Sequence, residues 1–146
     1  MTPIDLAIRN ATYRLFVELG RAPTVDEVAA ATGEGSAEVS LAWRRLHDGH
    51  ALVLDQAGEL RMLNPFSVVE TPFVVEAAGK SWFANCGWDA FGIGAALHVD
   101  SRIHATCPDC ADSIDIEVRD GRPIETGPVW HCLVPAREWW SDIGFT

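Results

Sequence analysis

The spacing of apolar residues changes once along this chain, at Asn64–Pro65, and this change limits the folds open to it. Before it, apolar residues recur at the three- and four-residue spacing of amphipathic helices, whereas later segments alternate between apolar and polar residues as strands do. A helical part followed by a strand-rich part predicts an α+β fold. We therefore predict two domains, residues 1–64 and residues 65–146, the second with an antiparallel or mixed sheet and flanking helices.

Local signals predict three helices in the first domain. Gly20 ends the first helix, and Thr24–Glu27 has the Thr-x-x-Glu pattern of a capping box, which opens a second helix that Gly33 closes. Ser36 is predicted to cap a third helix that continues to about His47. The predicted apolar positions of the first and third helices are Ile4, Leu6, Ile8, Leu15, Phe16, Leu19, Val39, Leu41, Trp43 and Leu46.

A hairpin is predicted after these helices, with strands on either side of residues 56–58, and this order of elements is that of a winged-helix module. Arg44 and Arg45 on the third helix are the basic residues that DNA binding would use. However, Asp55 and Glu59 flank the hairpin turn, and the chain carries a net charge of −10, which repels phosphate backbones. We therefore predict a structural or interaction module and no nucleic-acid partner.

After Pro65 the patterns predict short strands and two helices. The segment 113–118 alternates strictly between apolar and polar residues, which is the clearest strand signal in the chain. The predicted strands are 72–76, 80–84, 102–106, 113–118 and 129–134, and the predicted helices are 86–97 and one that Pro135 opens, containing Trp139 and Trp140.

Cys86 and Asp89 lie three residues apart at the predicted start of the helix 86–97. With Asn85 as N-cap, the Cys86 thiol would lie in the first turn, where the positive helix end favours thiolate. Asp89 would share its helix face, and an apolar pocket would raise the pKa of its carboxyl group. The aromatic residues expected to form that pocket are Trp82, Phe83, Trp88 and Phe91. The alternatives are a nucleophile beside a proton donor, or a buried cysteine beside a capping acid.

The segment "WFANCGWDAFGIGAAL" (82–97), preceded by Glu70–Val75, resembles the organomercurial (alkylmercury) lyase family, whose aromatic–Ala–x–Cys–x–x–Asp motif carries a catalytic cysteine and the catalytic aspartate. "HATCPDC" (104–110) resembles the strand of that family with a structural cysteine, here Cys107, and "LVPAREWWSDI" (133–143) resembles its Val-Pro segment. The family also has a winged-helix-like first module. The resemblance thus covers most of the chain.

By this resemblance the chain is an enzyme that breaks a carbon–mercury or related carbon–heteroatom bond. Cys86 would bind mercury as a thiolate and Asp89 would carry the proton to the leaving carbon. The family's second catalytic cysteine precedes the Val-Pro segment by about nine positions, and the corresponding segment 124–127 contains no cysteine. Cys132, or a small thiol from solution, would then supply the second sulfur. The chain therefore resembles a shortened, divergent member of the family.

Cys107 and Cys110 have the C-x-x-C spacing of a metal knuckle or a redox pair. A structural zinc would need two more ligands from His104, His131 and Cys132, and neighbouring residues on a strand point to opposite faces. We therefore expect a tight turn with two reduced thiols rather than a zinc site. His98, at the end of the helix 86–97, is interpreted as a C-terminal dipole partner.

No organic cofactor motif is present in the sequence, so we expect a small-molecule substrate, small thiols that remove the product, and mercury as the soft metal ion. No membrane span or signal peptide is apparent, which predicts a cytoplasmic protein. The resemblance implies an early end to the chain, where a second subunit would cover apolar surface in a homodimer. Two other functions stay open: a soft-metal-binding protein without catalysis, and a winged-helix regulator with a cysteine sensor.

Overall fold

The computed structural model describes residues 1–107, 109–125, 127–129, 131–132 and 134–143, and it has the predicted α+β architecture, with helices first and antiparallel strands after them. The chain divides into two compact units, Met1–Asn64 and Pro65–Thr146. Within the described part of the chain, every helix is too short or too polar to cross a bilayer.

The first unit contains three helices, α1 (Pro3–Leu19), α2 (Val25–Thr32) and α3 (Ser36–Asp48). Thr24 and Glu27 form the predicted capping box at the start of α2. Gly20 ends α1 in the left-handed conformation at φ 70°, where glycine has no steric penalty. The cap of α3 was predicted wrongly, because Gly35 is the N-cap and Ser36 is the first helical residue.

The core of the first unit is formed by one face of each helix. Ile8, Phe16, Val28, Val39, Trp43 and Leu46 are buried. The indole N–H of the buried Trp43 donates to Thr12 Oγ1 at 3.0 Å, and that hydroxyl donates to the Ile8 carbonyl at 2.8 Å. The predicted apolar faces were too wide, since Ile4, Leu6, Leu19 and Leu41 are 42 to 50% exposed.

The predicted hairpin after α3 is confirmed as β1 (Val53–Leu54) and β2 (Leu60–Leu63), which pair in antiparallel fashion. The Asp55 carboxylate accepts the N–H groups of Ala57 and Glu59 and so fixes the turn. The Leu54 N–H donates to the His47 ring, and this bond ties the hairpin to α3.

The second unit is built on an antiparallel sheet whose strand order is β3-β5-β4-β6-β7-β8. Its strands are β3 (Phe66–Ser67), β4 (Val74–Ala77), β5 (Lys80–Ala84), β6 (Ser101–Thr106), β7 (Ser113–Arg119) and β8 (Arg122–Pro123). The strands predicted over 72–76, 80–84, 102–106 and 113–118 are confirmed with small shifts of their ends. The β6–β7 pair is continuous from Ser101↔Val118 to Thr106↔Ser113, so it forms a firm base for the turn between them.

Helix α4 (Gly87–Leu97) contacts β4, β5 and β6. The apolar residues buried on this side are Val75, Ala77, Trp82, Ala84, Ala90, Ile93 and Ile103. The helix approaches β6 closely at Gly94, where a Cβ atom would stand 2.6 Å from Ser101 Oγ. His98 ends the helix in the left-handed conformation at φ 56°, as its predicted place at the C-terminus implies.

The segment after β8 differs from its prediction. The predicted strand 129–134 includes Trp130 and Leu133, which lie outside the described residues, and its described residues belong to no strand. The predicted final helix is a short 3₁₀ helix, Ala136–Ser141. 3₁₀ turns are frequent as short connecting segments, and Pro135 is the N-cap of this one.

Candidate active site

Cys86 occupies the junction between strand β5 and helix α4. The strand end is fixed because Ala84 donates its N–H to the Phe73 carbonyl at 3.0 Å and accepts the Thr71 hydroxyl at 2.6 Å. Two residues later, Cys86 has extended backbone angles and is itself the N-cap of α4, with its carbonyl accepting the Ala90 N–H. The prediction that Asn85 is the cap and Cys86 a first-turn residue was therefore wrong by one position.

The structure brings Cys86 and Asp89 into contact. The Cys86 thiol donates to Asp89 Oδ2 with a sulfur–oxygen distance of 3.6 Å, and both side chains are partly buried. The spacing of three residues along the start of a helix accounts for this, since such residues share one face. The geometry places a thiol and a carboxyl group within one hydrogen bond of each other.

Burial raises the pKa of the Cys86 thiol above its ordinary value. This corrects the expectation of a thiolate stabilised by the helix end, because loss of solvation outweighs that effect in the resting site. Burial also raises the pKa of Asp89, as predicted, while hydrogen bonds from the Cys86 thiol and the Asn85 side chain offset part of the rise. Burial therefore favours the protonated form of the thiol and makes the Asp89 carboxylate more basic than an exposed one.

The aromatic residues predicted around the pair have different environments. Trp82 is buried, where its N–H donates to the Ala77 carbonyl at 3.2 Å and its ring packs edge-on against Phe66. Trp88 is 62% exposed, so it does not enclose the site as predicted. Phe83 and Phe91 are partly buried.

Asn85 is a site residue that the sequence analysis missed, because it was read only as a helix cap. Its side chain interacts with the Asp89 carboxylate, and its Nδ2 donates to the Pro65 carbonyl at 3.5 Å. The signal available in the sequence was its position directly before the cysteine and four residues before the acid, which allows a side chain to reach across the start of the helix.

The other cysteines lie in two different segments, and none of the four forms a disulfide. Cys132 is exposed, and its thiol donates to the Val134 carbonyl at 2.9 Å, so its role as a second mercury ligand stays a prediction. Cys107 and Cys110 belong to the turn between β6 and β7. The backbone N–H of Cys110 lowers the pKa of the Cys107 thiol, with smaller contributions from the Asp109 N–H and the Cys110 thiol.

Within the described ranges, no group of three or more histidine, cysteine, aspartate and glutamate side chains is placed to hold a metal ion. This includes His104 and His131, which the sequence offered as partners for Cys107 and Cys110. His104 instead contacts Asp115 through its Nδ1 and lies with its Nε2 3.7 Å from Glu76 on the sheet. Among the residues that the structure describes, the four-ligand cage typical of a structural zinc is not found.

Comparison with known proteins gives two findings. The model of the MerB family, described as alkylmercury lyase, matches residues 66–146. Among solved structures, the mercury-bound form of MerB2 is similar, with a TM-score of 0.72 and 21% sequence identity over 88% of this chain. The chain spans 62% of the length of that structure. A search of curated proteins found no match.

The matched segment includes β3 to β8, α4 and the contact between Cys86 and Asp89. The similarity to a solved structure covers a larger share of the chain and agrees with the α+β architecture described above. The family that the motif around residues 82–97 resembled is thereby shown by a match over residues 66–146, which is more than half of the chain. This chain belongs to the alkylmercury lyase family.

Proposed function

We propose that this chain cleaves the carbon–mercury bond of an organomercurial, with Cys86 as the mercury-binding sulfur and Asp89 as the proton carrier. The observation that supports this most directly is the 3.6 Å hydrogen bond from the Cys86 thiol to Asp89 Oδ2. Family membership supports the reaction class, and the mercury ion described in MerB2 supports a soft metal as the atom that sulfur captures.

The first step is capture of the substrate by sulfur. As the mercury of R–Hg–X approaches, the Cys86 thiol passes its proton to Asp89, the sulfur–mercury bond forms, and X leaves as an anion. Mercury is soft and prefers sulfur to oxygen or nitrogen, so the carboxylate does not compete for the metal. The raised pKa of Asp89 favours this transfer, because a more basic carboxylate accepts a proton more readily.

The second step is protonation of carbon. The Asp89 carboxylic acid gives its proton to the carbon bonded to mercury, the carbon–mercury bond breaks, and R–H leaves. Asp89 returns to the carboxylate, and mercury stays on Cys86 as an inorganic product. Asn85, which contacts the carboxylate, is a positioning residue in this scheme because it limits the orientations from which Asp89 can deliver the proton.

A second sulfur is needed to hold the mercury as carbon leaves. We propose that a small thiolate from solution binds mercury at this stage and that another exchanges with Cys86 to release the product. No organic cofactor takes part. Cys132 is the alternative source of the second sulfur, and its exposed position leaves its thiol accessible.

Hydrocarbon release tests the proposal. The full chain is mixed with an organomercurial and excess monothiol in D₂O, and the released hydrocarbon is measured by headspace gas chromatography with mass detection. We expect one deuterium per hydrocarbon released, because the proton transferred to carbon exchanges with solvent on Cys86 and Asp89. Cys86→Ser should abolish release, whereas Cys132→Ser should retain it if the second sulfur comes from solution.

Two results would contradict this proposal. Hydrocarbon release at the native rate from Cys86→Ser, with native melting behaviour, removes the sulfur from the reaction. Stoichiometric mercury binding by the native chain without any hydrocarbon supports the soft-metal-binding protein instead. Loss of release in Cys132→Ser keeps the reaction but moves the second sulfur to Cys132.

The proposal also concerns the first unit, residues 1–64. We infer that it is a winged-helix-like module without a nucleic-acid partner. Arg45, one of the two basic residues that DNA binding would use, is bound to Asp5 and Glu38 at 2.7 Å each. An arginine held between two carboxylates is a poor phosphate ligand. A DNA fragment at low salt provides the test, and a mobility shift that Arg44→Ala abolishes would overturn the inference.

A further inference from the structure

The turn between β6 and β7 carries two cysteines, Cys107 and Cys110, and backbone hydrogen bonds join described residues at its two ends. Ala111 donates its N–H to the Cys107 carbonyl at 2.9 Å, and Cys107 donates its own N–H to the Asp112 carbonyl at 2.9 Å. Ala111 takes the left-handed conformation at φ 59°, which returns the chain to β7. The continuous β6–β7 pairing supports both ends of this turn.

Cys107 and Cys110 lie three residues apart within this turn. The hydrogen bond from the Ala111 N–H to the Cys107 carbonyl spans four residues, as in an α-turn, where side chains three apart lie on the same side. The Cys110 thiol contributes to lowering the pKa of the Cys107 thiol, which agrees with neighbouring side chains. Cys110 is exposed and Cys107 is partly exposed, so a solute can reach both sulfurs. Asp109 beside them adds negative charge, which attracts a cation.

The number of ligands selects the metal. Zinc in a structural site takes four ligands in a tetrahedron, and the described residues place no third or fourth cysteine, histidine or carboxylate in a metal-binding group here. Two thiolates alone satisfy a soft ion that accepts linear coordination, and Hg(II) is such an ion.

We propose that Cys107 and Cys110 form a second mercury site, which takes inorganic Hg(II) as a two-sulfur chelate. Its supply of Hg(II) rests on the proposed function, because cleavage at Cys86 would produce that ion, whereas the binding itself does not depend on catalysis. The site receives Hg(II) carried by two small thiolates, R'S–Hg–SR'. Two mercury–sulfur bonds to the carrier break, two form to the chain, and the Cys107 and Cys110 protons leave on the released thiols.

Competition with a monothiol measures the chelate. The background is Cys86→Ser, so that catalysis and the first mercury site do not contribute. Inorganic Hg(II) is added with roughly 0.1 mM monothiol, and the mercury retained per chain is measured after dialysis. Two thiols on one turn act at an effective concentration in the millimolar range, so the background protein should keep one Hg(II) at least about tenfold more tightly than a single-thiol protein.

The matched variants separate this pair from the other exposed thiol. Cys86→Ser/Cys110→Ser and Cys86→Ser/Cys107→Ser should both lose retained mercury by about tenfold or more, whereas Cys86→Ser/Cys132→Ser should retain it. The proposal is overturned if either turn variant with native melting behaviour keeps its mercury, or if the Cys132 variant loses it. Absence of hydrocarbon release from the native chain would refute the cleavage reaction and leave this binding result intact.

Discussion

Replacing Asp89 with asparagine separates the chemical role of the carboxylate from its structural role. Asparagine has the same shape and can still accept the Cys86 thiol, whose contact with Oδ2 is 3.6 Å long in the native site. It cannot carry the proton that the proposed reaction moves from sulfur to carbon. The change should therefore slow hydrocarbon release strongly and leave mercury binding to Cys86 in place.

The size of the expected loss follows from what a positioned acid contributes. Proton transfer by a side chain accelerates a reaction by roughly 10²- to 10⁴-fold, which is about 2.7 to 5.4 kcal/mol of barrier at 1.36 kcal/mol for each factor of ten. We expect Asp89→Asn to slow single-turnover hydrocarbon release within that range. Cys86→Ser, in contrast, removes the sulfur and should abolish both release and binding at this site.

Asp89→Asn should lower activity without lowering the stability of the folded chain. Burial raises the pKa of Asp89 in the folded chain, so folding favours the protonated carboxyl group. The resulting stabilisation is present below the pKa of the unfolded chain and is lost as pH rises through the higher folded pKa. At neutral pH an uncharged asparagine avoids the cost of burying an ionised group, and Asp89→Asn should be as stable as the native chain or more stable.

Urea unfolding at several pH values, followed beside single-turnover release, checks both expectations. The native chain should lose stability relative to Asp89→Asn as pH rises from acid to neutral. If Asp89→Asn is instead less stable than the native chain at neutral pH, Asp89 acts mainly as a structural acid at the helix start. If release continues at the native rate, the proton comes from another group and the assignment is refuted.

Two further changes test the packing and the charges described above. Gly94→Ala would place a Cβ atom 2.6 Å from Ser101 Oγ, so we expect a net loss of up to about 2 kcal/mol in the free energy of unfolding, since overpacking costs roughly 1–3 kcal/mol and alanine's helix preference returns about 1. Urea unfolding measures this change, and a variant about 1 kcal/mol more stable than the native chain, as helix preference alone gives, would contradict the close packing. Hydrogen bonds from Arg45, with that of the Thr2 N–H, lower the pKa of Asp5 to about 2, so its contribution to stability is present above the unfolded pKa of about 3.9 and is lost as pH falls towards 2. Asp5→Asn should therefore flatten the acid limb of the stability curve, and an unchanged acid limb would show that other carboxylates control it.

Local signals in the sequence predicted the helix and strand positions well because they act over three or four residues. The Thr24–Glu27 box and Gly20 determine their helix ends without help from distant parts of the chain. The exposure of a side chain depends on the elements that pack against its helix. Leu19 and Leu41 fit the apolar spacing of their helices, yet both are exposed. Apolar spacing indicates which face can be buried, whereas the neighbouring elements determine how much of it is.

The predictions for the candidate site also depended on whether a property is set by local geometry or by packing with distant residues. The contact between Cys86 and Asp89 followed from their spacing at a helix start, which is local geometry. The pKa of the Cys86 thiol did not, because burial depends on residues distant in sequence and outweighs the helix end. The helix also begins one residue later than asparagine's preference for the cap predicts, since the Asn85 side chain contacts Asp89 and Pro65.

The hydrogen bond from Trp43 to Thr12 makes the first unit observable by itself. Trp43 is the only tryptophan among residues 1–64, and its indole is fixed and almost fully shielded from water. With the remaining tryptophans replaced by phenylalanine, its fluorescence would report the unfolding of residues 1–64 alone. Emission at short wavelength would mark the folded unit, and a red shift at a lower urea concentration than the loss of total β-structure would mean that the two units melt independently.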